Sequence, residues 1–275
     1  MRVAIIGAGP TGLYTAVALA RRGHDVSVVD RDPGPSGNGW WPRSGVMQFH
    51  HPHAFRLQVV EALQAELPEA WDALLAAGAV PVYAPGQPGL VIGIRCRRAV
   101  FETVLRSQAV AEPAVTLVSA QADAVVHERG RVTGVRIRDR MLPADLVLDT
   151  SGRAGRLSRS VRAAEPESGD CGLSYVSRQY RLRPGASEGP TNAPPGLVTA
   201  YPGYLAIVFP HDNRTFSALI AHASTTRDLA GLRTVAAYEA AARAIPPLAI
   251  WTDPHRSRPI TPVLRGGHLY NSYRG

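Results

Sequence analysis

Residues 3–33 read VAIIGAGPTGLYTAVALARRGHDVSVVDRDP, and the order of residue types in this stretch sets the expected fold. Residues 3–6 are continuously apolar, as a parallel strand covered on both faces requires. Gly7-Ala8-Gly9-Pro10-Thr11-Gly12 follows with G-x-G-x-x-G spacing. In such a turn Gly7 permits the tight bend, Gly9 has no side chain to hold a pyrophosphate away from the backbone, and Gly12 lets a helix pack closely on the strand. Phosphates then meet unpaired N–H groups and the positive end of the helix dipole. Residues 13–22 are rich in helix formers and Gly23 is a natural stop. Residues 26–29 form the second strand, which ends at Asp30, a carboxylate suited to both ribose hydroxyls of an adenosine. Strand, glycines, helix, strand and acid in order within about 30 residues predict a dinucleotide site. NAD(P) and FAD share this turn, so these residues leave the choice open.

Composition narrows the class. With 275 residues and 45% hydrophobic content, the chain buries one large core or two moderate ones. The formal charge is +8 and there is no lysine, so the 30 basic residues are all arginine. Schiff-base and P-loop lysine chemistry are thereby excluded. The arginines are scattered, with no run of five, so a nucleic-acid partner is not expected. Cys96 and Cys171 are far apart and lack CxxC spacing, which indicates neither a disulfide framework nor a zinc site, and a reduced, cytoplasmic setting is expected. The apolar N-terminal stretch falls far short of the roughly 20 residues that a spanning helix needs.

Further segments carry a resemblance. The Asp30-Arg31-Asp32-Pro33 ending, Arg43-Ser44-Gly45-Val46-Met47, Arg95-Cys96-Arg97-Arg98-Ala99-Val100-Phe101-Glu102, and Ala144-Asp145-Leu146-Val147-Leu148-Asp149-Thr150-Ser151-Gly152-Arg153 join the opening fingerprint. Together they resemble the class A flavoprotein monooxygenases of the para-hydroxybenzoate hydroxylase type, with their geranylgeranyl reductase and halogenase relatives. The resemblance implies FAD as cofactor, with NAD(P)H as a candidate electron donor. It implies FAD contacts from Gly7, Gly9, Pro10, Thr11, Gly12, Asp30, Arg31, Arg43, Arg98, Ala124, Asp149 and Gly152. Arg43 is expected near the pyrophosphate, Arg98 at a helix start that touches the cofactor, and the backbone at Ala124 against the adenine. The commonest form of the fourth motif has Asp directly before Gly, whereas here Ser151 intervenes and Asp149 stands earlier. That variant is similar to the reductase and dehydrogenase branches and leaves the donor open.

The expected fold class is α/β: a Rossmann-like FAD-binding fold with an inserted mixed or antiparallel β-sheet as substrate layer. Residues 1–167 are expected to form the FAD domain, 168–265 the substrate layer with a helix over 232–244, and 266–275 a truncated return to the first domain. Strand patterns run over 115–118, 124–126, 132–137, 146–148, 173–182, 197–201, 204–209 and 215–221. Tyr175, Arg178, Tyr180 and Tyr204 are candidates to line a substrate pocket. His50, His51 and His53 lack a carboxylate or thiol at ligand spacing, so a loop near the flavin, with His51 or His53 as proton carrier, is preferred to a metal site. No match to the family's later Gly-Asp motif occurs in 222–275, so a chain shorter than a complete member is expected. The halogenase lysine is also absent. The activity these features imply is an FAD-dependent monooxygenase, a hydroxylase or epoxidase, acting on an aromatic or other hydrophobic small molecule. A flavin reductase or dehydrogenase of the geranylgeranyl reductase type, or a non-catalytic flavoprotein fragment, are the alternatives.

Overall fold

The structure is a computed structural model that describes residues 1–36, 41–152, 155, 157, 167–194, 196–267 and 269–273. In chain order it begins β1 (Arg2–Ile6), α1 (Pro10–Ala20), β2 (Asp25–Asp30), β3 (Phe55–Arg56), α2 (Leu57–Glu66), α3 (Pro68–Ala76), β4 (Val80–Ala84), β5 (Gln87–Arg95) and α4 (Arg98–Ala111). It continues with β6 (Val115–Ser119), β7 (Ala124–Glu128), β8 (Arg131–Ile137), β9 (Arg140–Pro143), β10 (Leu146–Asp149), β11 (Glu167–Asp170) and β12 (Leu173–Leu182). It closes with β13 (Leu197–Tyr201), β14 (Tyr204–Pro210), β15 (Thr215–Ala223), α5 (Val235–Ala244), α6 (Pro246–Thr252), β16 (Ser257–Pro259), β17 (Leu264–Gly266) and β18 (Tyr270–Tyr273). No helix among the described residues is long and apolar enough to cross a membrane.

The chain divides into two compact units that alternate along the sequence. One holds 1–45, 62–73 and 99–164; the other holds 46–61, 74–98 and 165–275. The expected boundaries therefore differ from the observed ones. Segments 46–61 and 74–98 pack with the second unit, and so do residues 266–275, whose strand β18 pairs with β11.

In the first unit a parallel sheet runs in the order β10-β1-β2-β6. On its inner strands Val3, Ala4, Ile5, Val26, Val28 and Val29 are all at or below 1% exposure, with the half-buried Ser27 between two of them, because both faces are covered. Register aligns Ile6 with Val29 and with Asp149, so three strands end together at one edge. Helix α1 buries Leu13, Ala16, Val17 and Ala20, the i, i+3, i+4, i+7 face, against this sheet. It begins at Pro10, earlier than the helical pattern alone suggests, because proline at the first helical position is preorganised for the turn. A second sheet, β7-β8-β9, closes its first hairpin through Arg129 and Gly130, both at positive φ (50° and 76°), which suits the twist of a two-residue hairpin.

The second unit is antiparallel. One sheet has the order β13-β14-β15-β12-β16, with β17 also on β12, and a smaller one the order β3-β5-β4. Its core stacks Tyr180 on Phe216 at 5.2 Å, with Trp251 tilted against Phe216 at 4.9 Å. Each buried aromatic of this kind stabilises by about 2–3 kcal/mol through its apolar area. The helix expected over 232–244 is two pieces, a 3-10 segment Arg227–Arg233 and α5, separated by Thr234, whose hydroxyl accepts a hydrogen bond from the Ala237 N–H and caps α5.

Candidate functional site

Three glycines build the first turn through different constraints. Gly7 sits at φ +110°, and a Cβ there would lie 2.7 Å from the Thr150 carbonyl oxygen. A Cβ on Gly12 would overlap the Gly7 carbonyl oxygen, so α1 approaches β1 only because that side chain is absent. Gly9 has an ordinary φ of −79°, and a Cβ on it would meet nothing within 4 Å. The protein itself does not need glycine there. The space it leaves lies at the helix end, where a ligand would approach.

Donors converge on that space. Gly9 caps α1 without a side-chain bond, Pro10 carries no N–H, and the Leu13 N–H donates to the Gly9 carbonyl at 3.0 Å. The N–H groups of Thr11 and Gly12 belong to the first turn, which has no intrahelical acceptors. No acid stands in that turn to repel an anion. Thr150 fixes the arrangement from the neighbouring strand, its hydroxyl donating to the carbonyls of Ile6 and Gly7 at 3.0 Å each.

Asp30 stands at the end of β2 and accepts hydrogen bonds from the Ala8 N–H at 2.7 Å and the Asp32 N–H at 2.9 Å, one on each oxygen. A carboxylate offers about four lone-pair positions, so both oxygens retain capacity for ribose hydroxyls. Arg31 is exposed, with its guanidinium against Gly45.

Arg43 lies beside the glycine turn. It is 3% exposed, in a left-handed backbone conformation at φ 38°, and its guanidinium is turned onto protein groups. One Nη donates to the Ala8 carbonyl at 2.9 Å, Nε lies 2.7 Å from a carboxylate oxygen of the fully buried Glu102, and Asp30 and Asp32 stand 3.7 and 3.8 Å away. The Nε–Glu102 contact is an ion pair set off the N–H axis, and the second Nη has no hydrogen-bond acceptor among the described residues. The Trp41 ring covers the guanidinium at 4.8 Å, and its indole N–H donates to Asp32 at 2.8 Å. Arg43 thus holds the turn and the acidic end of β2 in place.

Other expected residues are distributed as follows. Ala124 opens β7, half-buried and paired with Arg136. Asp149 ends β10 beside the glycine turn and accepts hydrogen bonds from the Ser151 N–H and hydroxyl. Gly152 takes φ +77° just beyond, and Arg153 lies outside the described residues. Arg98 belongs to the second unit, where one Nη is 3.4 Å from His53 Nε2. Glu102, Asp32 and Trp41 are the participants that sequence reasoning missed. A signal existed for Glu102, which shares the buried face of α4 with Phe101, Leu105 and Ala109.

The second unit contains a cavity of about 400 Å³ walled by residues of the 53–58 segment, by β5 and by Pro194 and Pro210. His53 lines it. Its Nδ1 lies 2.9 Å from the His51 carbonyl, so Nδ1 carries the proton and Nε2 the lone pair. Burial first, then the Arg98 charge, pushes its pKa down to about 4, and the ring is neutral at neutral pH. His51 contacts the Ser177 hydroxyl at 2.8 Å. Behind these, Asp212 is fully buried and accepts from the Arg97 backbone N–H at 2.7 Å and from its guanidinium Nε at 3.0 and 3.1 Å. Tyr175, Arg178, Tyr180 and Tyr204 are not among the cavity's lining residues. Arg178 and Tyr180 instead both bond Glu239 at 2.7 Å, and Tyr204 stacks on Tyr201, because their alternation along the strands points them into packed faces. Among the described residues no group of three or more His, Cys, Asp or Glu is arranged to hold a metal ion.

A parallel sheet ending in a glycine turn, an uncovered helix N-terminus and an acid at the end of the second strand defines a dinucleotide-binding protein. Residues 2–148 match the model of the FAD dependent oxidoreductase family (DAO), and the chain belongs to that family. The family's cofactor is FAD, and the open space at Gly9, the first-turn N–H groups and the residual capacity of Asp30 fit its pyrophosphate and ribose. Among curated proteins, the chain is 43% identical over 53 residues to the NAD-dependent dihydropyrimidine dehydrogenase subunit PreT of Escherichia coli K12. That match covers 19% of this chain and only 12% of PreT. Among solved structures, flavin-dependent brominase Bmp2 superposes with a TM-score of 0.70 at 17% identity, over 99% of this chain and 68% of its own. PqsL of Pseudomonas aeruginosa, a probable FAD-dependent monooxygenase, gives a TM-score of 0.64 at 18% identity, over 95% of this chain and 73% of its own.

Proposed function

We propose that the protein is an FAD-dependent monooxygenase, a hydroxylase or epoxidase, that acts on an aromatic or other hydrophobic small molecule with NAD(P)H as electron donor. Gly7, Gly9, Pro10, Thr11, Gly12, Asp30 and Arg31 hold the adenosine and pyrophosphate in this reading, and Asp149, Gly152, Ala124 and Arg98 add further contacts. Arg43 acts one step back, by positioning Asp30 and the turn.

The observation that carries the reading is the antiparallel layer with its cavity. The match to the dehydrogenase subunit PreT is confined to 53 residues, a length that spans little more than a dinucleotide segment and speaks to the cofactor alone. The likeness to Bmp2 and PqsL extends over 95% or more of the chain, so it takes in the antiparallel sheets as well. Halogenation is set aside because the chain has no lysine to carry the halogenase chemistry. Bound FAD would supply two-electron redox chemistry and, when reduced, reactivity toward dioxygen. The protein's part is to fix the cofactor, hold the substrate and exclude water from it.

Substrate, dioxygen, NAD(P)H and a proton would give oxygenated product, water and NAD(P)+. The test is oxygen uptake by the FAD-loaded protein with NADH or NADPH, with and without aromatic candidates, and isotopic labelling of product from dioxygen. Substrate-stimulated uptake with label in the product supports the reading. Turnover that proceeds equally without oxygen sinks it in favour of the reductase alternative, which the Asp149-Thr150-Ser151-Gly152 variant favours.

A further inference from the structure

Helix α4 carries a carboxylate on its apolar face. Glu102 is fully buried there beside Phe101, Val104, Leu105 and Ala109. Replacing a buried ion pair by apolar groups of similar volume is often neutral or stabilising, so packing does not explain this acid. Its partner is Arg43, whose Nε lies 2.7 Å away. The two Nη atoms of the same guanidinium stand 3.7 Å from Asp30 and 3.8 Å from Asp32, outside hydrogen-bond range of both. Arg106 brings a second guanidinium to this end of β2, where one Nη donates to the Pro33 carbonyl at 2.7 Å. Burial first, and then the charge of Arg43, lower the Arg106 pKa while Asp32 and Asp30 raise it, so these four groups act on one another. With Glu102 the cluster has three carboxylates and two guanidiniums, and among the described residues no arginine takes Asp30 in a hydrogen bond.

We propose that Glu102 is a positioning residue for cofactor selectivity: by holding the Nε edge of Arg43 it keeps that guanidinium off Asp30 and leaves the Asp30 carboxylate to the two ribose hydroxyls of an adenosine. The inference rests on the proposed placement of the ribose at Asp30, and deepens it by naming the group that keeps the acid available. Distance gives the reason. Without the Glu102 charge, Asp30 and Asp32 are the carboxylates that remain beside Arg43 among the described residues. A shift of about 1 Å then brings a guanidinium N–H within charge-assisted hydrogen-bond distance of Asp30. Asp30 already accepts from the Ala8 and Asp32 N–H groups, one on each oxygen. A guanidinium added to these takes lone pairs that the hydroxyls need and cancels the charge that makes the acceptor strong. The phosphate end of the site relies on backbone donors at the start of α1 and does not depend on this charge.

The test is calorimetric binding of ADP and of 2′,3′-dideoxy-ADP, which lacks both ribose hydroxyls, to the full chain at neutral pH. The wild-type protein should bind ADP at least about tenfold more tightly, as hydrogen bonds to a charged acceptor require. In Glu102→Gln this preference should fall to about twofold or less, with the affinity for dideoxy-ADP unchanged. A purely structural loss would weaken both nucleotides together, and the unfolding midpoint establishes that the variant is folded. Glu102→Asp, which keeps the charge and draws it back by one methylene, should give a preference between those of the wild type and Glu102→Gln. An undiminished preference in folded Glu102→Gln, or a parallel loss of both nucleotides, overturns the inference while leaving the ribose placement at Asp30 standing. Where Glu102→Gln does not fold, a wild-type preference in Glu102→Asp overturns it. Equal binding of the two nucleotides by the wild type, or binding of neither, sinks the ribose placement and this inference with it.

Discussion

Each unit sets an arginine against a fully buried carboxylate, Arg97 half-buried and Arg43 buried, and the two pairs are built to opposite standards. Asp212 is saturated: it receives the Arg97 backbone N–H and guanidinium, and the Asn213 amide at 3.1 Å. Arg43 is surrounded rather than satisfied. It faces Glu102, Asp30 and Asp32 at once, meets none of them in an aligned hydrogen bond, and keeps one Nη without an acceptor among the described residues. A saturated pair fixes architecture, since buried charges are tolerated when fully hydrogen-bonded. The unsaturated cluster stands beside the glycine turn, tied to it through the Ala8 carbonyl and to the acidic end of β2 through Asp30 and Asp32. The difference separates a pair whose hydrogen bonds are complete from a cluster that neutralises charge without completing them.

The largest effect that would break this contrast lies in the saturated pair. Asp212→Ala removes the acceptor of the Arg97 backbone N–H and guanidinium and of the Asn213 amide at once, and should cost about 3–4 kcal/mol in chemical denaturation. Glu102→Ala should cost less, about 1–3 kcal/mol, because Asp30 and Asp32 remain to neutralise Arg43. Equal losses would mean that the two pairs are not different in kind. Next comes acidification. The folded pKa of His53, at about 4, lies below the unfolded 6.5. Its contribution is therefore fully present above the unfolded value and is lost as pH falls through the folded one. At about 1.4 kcal/mol per unit this amounts to roughly 3 kcal/mol. His211, pushed down to about 3 first by burial, adds in the same direction and further into acid. Denaturation midpoints across this range should slope downward on acidification, and His53→Gln should flatten the slope. A smaller effect distinguishes the glycines. Gly12→Ala should destabilise by about 1–3 kcal/mol through backbone overlap and abolish FAD uptake. Gly9→Ala should leave stability within about 0.5 kcal/mol and weaken FAD about tenfold, measured by flavin fluorescence. A Gly9→Ala protein with undiminished FAD affinity would refute the proposed phosphate position. Asp30→Ala should likewise weaken FAD by at least about tenfold, and unchanged affinity would dissociate the acid from the ribose.

Much of the local structure was legible because patterning and burial agree. The alternation over 173–182 coincides with β12, and the positive-φ pair around Gly130 marks a hairpin. The steric roles of Gly7 and Gly12 were legible because each rests on close backbone approach. The partners of Arg43 were not legible, because arginine reads as a surface cation until they are known and its nearest one, Glu102, is distant in sequence. Glu102 and Asp212 were passed over for the same reason: a carboxylate gives no local sign that its counter-charge is buried with it. Strand β5 lacks a clean alternation, and the short helices α2 and α3 were not read from the sequence, so these elements emerge only from the sheet and core they join. The alternation of the two units along the chain is a tertiary fact with no periodic signature.

That alternation bears on how such a chain changes over generations. The polypeptide passes between the units after residues 45, 61, 73, 98 and 164. Neither unit is encoded by one uninterrupted stretch, so no single recombination event can transplant or delete either of them whole. The two must diverge together, by substitution and by insertion at loops such as the turn at Arg129 and Gly130, and a lineage that acquires a new ligand pocket inherits the same nucleotide turn with it.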